Sequence, residues 1–121
     1  MAKTILCIDD STTIRLLVKK TLEPLGYRVL EAENGQVGLE LALKGGVDFC
    51  LVDVNMPVMN GFECVKGLKG KPATATLPVV FLTTESSDEK KALGRQLGVN
   101  GWMVKPFEAE ALVKIVRMLA G

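Results

Sequence analysis

Five strand-length runs rich in aliphatic residues recur along this chain, and a helix-spaced pattern follows each one. The runs occupy residues 3–8, 27–32, 49–54, 78–82 and 101–104. Most are continuously apolar rather than alternating in polarity, as expected of strands covered on both faces. Strand–helix alternation of this kind builds βαβ units and a parallel sheet. Right-handed crossovers then give an α/β, open, doubly wound fold, and such folds bind ligands outside the carboxyl ends of their strands.

The helices are read from their spacing and their punctuation. Ile14, Leu17, Val18, Thr21, Leu22 and Leu25 carry the first, with Ser11 or Thr12 as its cap. Pro24 and Gly26 mark its end, and a proline so early predicts an irregular last turn. Asn34-Gly35 opens the second helix, which Val37 and Leu41 carry and Gly45-Gly46 stops. The third starts near Gly61 and breaks by Gly70 and Pro72; its periodicity is the weakest. Ser86 and Glu89 form a capping-box pattern for the fourth, which ends near Gly98. The fifth follows Pro106, with Leu112, Ile115, Val116 and Leu119 on one face.

At 121 residues the chain suits one domain, 1–121, with one core, so any output must pass through a binding surface. A net charge of +1 gives no nucleic-acid footprint. No segment approaches the roughly 20 apolar residues that span a bilayer, and no signal-peptide pattern is present, so a cytoplasmic location is expected. Cys7, Cys50 and Cys64 lack CxxC spacing and read as buried free thiols. With no histidine, a Ser-His-Asp triad, a histidine zinc site and a phosphohistidine on this chain are excluded.

Polar residues at the strand ends are the informative ones. The first strand delivers Asp9 and Asp10, the third Asp53, the fourth Thr83 and Thr84, and the fifth Lys105. Topology should gather them at one edge of the sheet. Two carboxylates about 4 Å apart repel by about 4 kcal/mol at an effective dielectric of about 20. A hard divalent cation with oxygen ligands relieves that repulsion, and Mg2+ needs only one or two carboxylates. A metal beside a carboxylate and an ammonium suits a transferring phosphoryl group. Asp53 is then a carboxylate nucleophile, with Lys105 and Thr83 on the phosphoryl oxygens.

Taken together, Asp9-Asp10, the stretch from Asp53 to Gly61 (DVNMPVMNG), Thr83 and Lys105-Pro106-Phe107 resemble the receiver domain of two-component response regulators. The resemblance covers essentially the whole chain and is nearest to the CheY-like, stand-alone chemotaxis type. It implies a flavodoxin-like sheet of strand order 2-1-3-4-5. It also implies that Asp53 accepts a phosphoryl group from a sensor histidine kinase, here a chemotaxis kinase. Asp10, Asp53 and the Asn55 carbonyl would bind Mg2+, which Mn2+ could replace, with Asp9 acting through a bound water. Lys105-Pro106 would be cis. Thr83 would move toward the phosphoryl group and Trp102 would turn inward in response. Asn55 and Glu85 would tune dephosphorylation. The fourth helix, fifth strand and fifth helix would form the readout surface for a flagellar motor switch protein, on a chain that stays monomeric. Asn60 stands where Asp is common, Thr84 where a smaller residue is, and Trp102 where Tyr or Phe is usual.

Other readings compete. A receiver serving a non-motility pathway keeps the same chemistry. A phosphatase of the haloacid-dehalogenase type would want an acid two residues after the nucleophile, where Asn55 stands. A flavin module would want a Gly/Ser/Thr-rich phosphate loop after the first strand, where Asp9-Asp10 would repel it. A receiver excised from a longer protein would read the same way.

Overall fold

The computed structural model describes residues 2–121. The elements run β1 (Thr4–Ile8), α1 (Thr12–Leu22), a single 3₁₀ turn (Glu23–Leu25), β2 (Arg28–Ala32), α2 (Gly35–Leu43), β3 (Phe49–Val52), α3 (Gly61–Lys69), β4 (Val79–Thr83), α4 (Asp88–Gln96), β5 (Gly101–Val104) and α5 (Ala109–Ala120). All strand pairs are parallel, and the order is β2-β1-β3-β4-β5. This is the expected doubly wound, flavodoxin-like α/β architecture.

Burial explains the apolar runs. Every residue of β1, β3 and β4 is buried, so both faces of each strand must be apolar. Alternate side chains serve two cores. Leu6, Ile8, Val52, Val79 and Phe81 pack toward α2 and α3, together with Leu97 at the end of α4. Ile5, Cys7, Leu51, Val80 and Leu82 pack toward Val18 and Leu22 of α1 and Leu112 and Val116 of α5. Each such side chain contributes about 1.5–3 kcal/mol on burial. The edge strand β5 is only half covered, with Val104 42% exposed.

Local signals account for most boundaries. Ser11 caps α1, accepting a hydrogen bond from the Ile14 N–H at 3.2 Å. Pro24 turns the helix end into the 3₁₀ turn, and Gly26 leaves it in the left-handed region at φ 94°. Asn34 caps α2 through the Val37 N–H. One boundary differs from the sequence expectation. Ser87, not Ser86, caps α4, accepting from the Lys90 N–H, because Ser87 is the residue whose extended backbone aims its hydroxyl at the first turn. The capping box is instead at α3, where the Asn60 side chain accepts from the Glu63 N–H and Glu63 accepts from the Asn60 N–H.

The cysteines are free and buried. Desolvation raises all three thiols, Cys50 and Cys64 to about 12, so none is a nucleophile at neutral pH. Among the described residues no helix is long and apolar enough to cross a membrane.

Candidate functional site

The strand order places the ends of β1 and β3 side by side, and their next residues carry the acid groups. The Asp53 N–H donates to the Ile8 carbonyl at 2.9 Å, which fixes β3's exit beside β1's. Ligand oxygens of Asp9, Asp10 and Asp53 lie within 4.8 Å of one another. Asp9 and Asp53 are buried, whereas Asp10 is exposed.

Lys105 reaches this cluster from the end of β5. Its Nζ lies 2.7 Å from Asp9 Oδ2 and 3.1 Å from Asp53 Oδ2. The chain arrives there through the Lys105 N–H, which donates to the Thr83 carbonyl at 2.9 Å, and the Lys105-Pro106 bond is cis as expected. Desolvation alone would lower the lysine, but hydrogen bonds to Asp9 and Asp53 outweigh it and hold its pKa above the ordinary value. Asp9 is raised, by desolvation first, against the pull of Lys105 and of the Ser11 N–H, which donates to Asp9 Oδ1 at 2.9 Å.

The donor set is all oxygen, the carboxylates of Asp9, Asp10 and Asp53. It fits a hard cation such as Mg2+, and it offers no imidazole or thiolate for zinc. Asp9 has both oxygens engaged, by Ser11 and Lys105, while Asp10 faces solvent.

The other expected residues assemble around the same edge. Thr83 is fully buried, and its Oγ1 accepts from the Glu85 N–H at 3.3 Å. Asn55 and Glu85 meet: Asn55 Nδ2 donates to Glu85 Oε1 at 3.0 Å. Lys90 pairs with the same oxygen at 3.2 Å. These bonds, Asn55 first, hold the Glu85 carboxyl below its ordinary value. Trp102 already lies inward in this structure: its indole N–H donates to the Glu85 carbonyl at 2.8 Å and its ring meets Phe81 edge-on at 5.2 Å. The indole has a carbonyl to pair with, and Gly94 of α4 leaves room beside the ring. Thr84 is exposed.

The structural roles of three residues escaped the sequence reading. Gly61 sits where a Cβ would stand 2.2 Å from the Asp53 carbonyl oxygen, so only glycine lets α3 start directly beneath the Asp53 backbone. Gly94 is the second. Arg15 is the third: it donates to the Asp9 carbonyl. Its signal was a cation near the N-terminus of α1, the end that the helix dipole disfavours.

Comparison with known proteins agrees. The family model for the response regulator receiver domain matches residues 5–117. Protein PilH of Pseudomonas aeruginosa is 36% identical over 118 residues, 97% of this chain and 98% of that protein. Chemotaxis protein CheY-3 of Vibrio cholerae is 39% identical over 109 residues, 89% of this chain and 84% of that protein. The solved structure of Vibrio cholerae chemotaxis protein CheY4 superposes with a TM-score of 0.93 at 42% identity, covering 98% of this chain and 99% of that one. With strand order, strand-end chemistry and relatives all in accord, the chain belongs to the response regulator receiver family and has the CheY-like fold.

Proposed function

We propose that this chain is a phospho-switch in which Asp53 accepts a phosphoryl group from a sensor histidine kinase. The observation that carries the reading is the Asp9, Asp10 and Asp53 trio, its oxygens within 4.8 Å, with the Lys105 ammonium 3.1 Å from Asp53. Asp10, Asp53 and the Asn55 carbonyl hold Mg2+, or Mn2+ in its place, with Asp9 acting through water. The cation supplies positive charge for the phosphoryl oxygens and the attacking carboxylate. The chain's residues do the rest. An Asp53 Oδ forms the O–P bond as the donor's N–P bond breaks, and the bond's electrons leave on the imidazole nitrogen. Lys105 follows the negative charge onto the phosphoryl oxygens. Thr83 releases the Glu85 N–H and donates its hydroxyl proton to a phosphoryl oxygen.

Receiver domains are signalling switches rather than enzymes in the usual sense; this one assists its own phosphorylation and its hydrolysis. The Asn55–Glu85 bond joins the residue two after Asp53 to the residue two after Thr83, which supports their role in tuning dephosphorylation. Movement of Thr83 reaches the readout surface of α4, β5 and α5 through Glu85, whose N–H and C=O face Thr83 and Trp102 respectively. The switch works as a monomeric, cytoplasmic, single-domain protein, and its output is to a flagellar motor switch protein under a chemotaxis kinase. A target outside the flagellar motor is the second reading, favoured by the likeness to PilH over nearly the full length of both chains.

The test is labelling with radioactive acetyl phosphate in the presence of Mg2+. The parent should form a base-labile acyl phosphate and Asp53→Asn should take up none. Label that persists in Asp53→Asn would overturn the assignment.

A further inference from the structure

Among the described residues, Arg15 is the one cation that touches the acidic site without touching a carboxylate of it. Its side chain is largely buried, at 14% exposure. Nη1 donates to the Asp9 carbonyl, Nε to Glu31 Oε1 at 3.2 Å, and Nη2 to Thr12 Oγ1 at 3.4 Å. β2 ends at Ala32, whose carbonyl accepts from the Asp9 N–H at 2.9 Å; in the next peptide group the Asp9 carbonyl accepts from the guanidinium. The β1–α1 junction is therefore pinned to both neighbours of β1's exit, the end of β2 and the first turn of α1.

We propose that Arg15 is a positioning residue for the divalent cation, setting the backbone from which the Asp9 and Asp10 carboxylates project. The inference rests on the metal reading of the acidic cluster given above. Two arguments favour position over charge. Arg15 stands near the N-terminus of α1, where the dipole opposes it, so it is not there to stabilise the helix. A positive charge beside a cation site also lowers cation affinity, so its electrostatic contribution runs against metal binding. The geometry requires the forked guanidinium, which makes three bonds in different directions, and a lysine ammonium cannot span them.

The sign of the effect separates the two roles. Mg2+ binding is measured by calorimetry on the full chain and on Arg15→Ala and Arg15→Lys, at a temperature where circular dichroism shows all three folded. Positioning predicts that both variants bind Mg2+ about tenfold or more weakly, the usual effect of losing a residue that orients a ligand. Glu31→Gln, which keeps the Asp9 bond but loosens the guanidinium's other anchor, should fall between. Tighter binding by Arg15→Ala with no change in Arg15→Lys would show a pure charge effect and overturn the proposal, as would unchanged affinity in both. If the parent binds no Mg2+, the metal reading fails, and this inference fails with it.

Discussion

Removing the ammonium at Lys105 tests how the acidic cluster is held together. Lys105 Nζ is 2.7 Å from Asp9 Oδ2 and 3.1 Å from Asp53 Oδ2, with side-chain exposures of 11%, 2% and 8% for the lysine and the two acids. At an effective dielectric of about 20 the two attractions are about 6 and about 5 kcal/mol before desolvation is set against them. Truncating one partner of such a buried pair costs about 3–5 kcal/mol, because the remaining charges are left uncompensated. Lys105→Met, which keeps the apolar stem, should lower unfolding free energy by that amount in EDTA at pH 7. Because Lys105 titrates above its ordinary value of 10.5, the pair is fully formed at neutral pH and is lost only as pH rises past that value. The ammonium and a cation compete for the same oxygens, so the variant should bind Mg2+ more tightly than the parent. A hundredfold excess over Kd contributes about 2.7 kcal/mol. In saturating Mg2+ the gap between variant and parent should therefore narrow by the logarithm of their Kd ratio, about 1.4 kcal/mol for each tenfold. Urea unfolding with and without Mg2+ measures both quantities. A gap of the same size under both conditions would refute the argument that lysine and metal share the site.

Three further outcomes are expected. Gly94→Ala places a methyl 3.2 Å from Trp102 Cζ3 and 3.3 Å from Val99 Cγ2, so it should displace the indole and red-shift the emission of the single tryptophan; unchanged emission would contradict this. Val58, 81% exposed and at φ 70°, is a β-branched residue in the left-handed region, so Val58→Asn should raise the thermal midpoint by relieving about 1 kcal/mol of strain, and a lower midpoint would refute it. Glu85 is held below its ordinary value of 4.5, by Asn55 first and Lys90 second, so its contribution is present above that value and fades as pH falls through the lower folded one. A carbon-detected NMR titration should place its inflection below 4.5 in the parent and higher in Asn55→Ala; a parent inflection at or above 4.5 would count against the network.

The strands were legible because β1, β3 and β4 are buried on both faces, which leaves no room for polar residues until the chain leaves the sheet. The acidic trio was legible for the same reason: Asp9 and Asp53 interrupt apolar runs, and parallel topology aligns the interruptions. Less of the surrounding hydrogen bonding could be read. Ser86 with Glu89 has the capping-box pattern and Ser87 with Lys90 lacks it, yet the extended Ser87 is the residue that caps α4. Arg15 and Lys90 look like ordinary helix-surface cations, because their partners, the Asp9 carbonyl and Glu85, come from elsewhere in the fold. Trp102 could be placed on the switch face from its position, but its inward seat depends on Gly94, eight residues earlier and on another element.

The position of β1 at the centre of the sheet has a consequence for how the chain is made. Its strand partners are Arg28–Ala32 on one side and Phe49–Val52 on the other, with Ile5 opposite both Val29 and Phe49. β1 is thus synthesised before either of its strand partners, is one of the most apolar strands in the molecule, and has no local hairpin to cover it. It must wait for a complete βαβ crossover before its first ladder forms and for a second crossover before its other edge closes. Non-local parallel pairing of this sort slows folding and leaves unpaired edges open to other chains. Residues 4–8 should therefore be a principal chaperone-binding and aggregation-prone segment of the nascent protein, although in the folded protein they are among the least accessible.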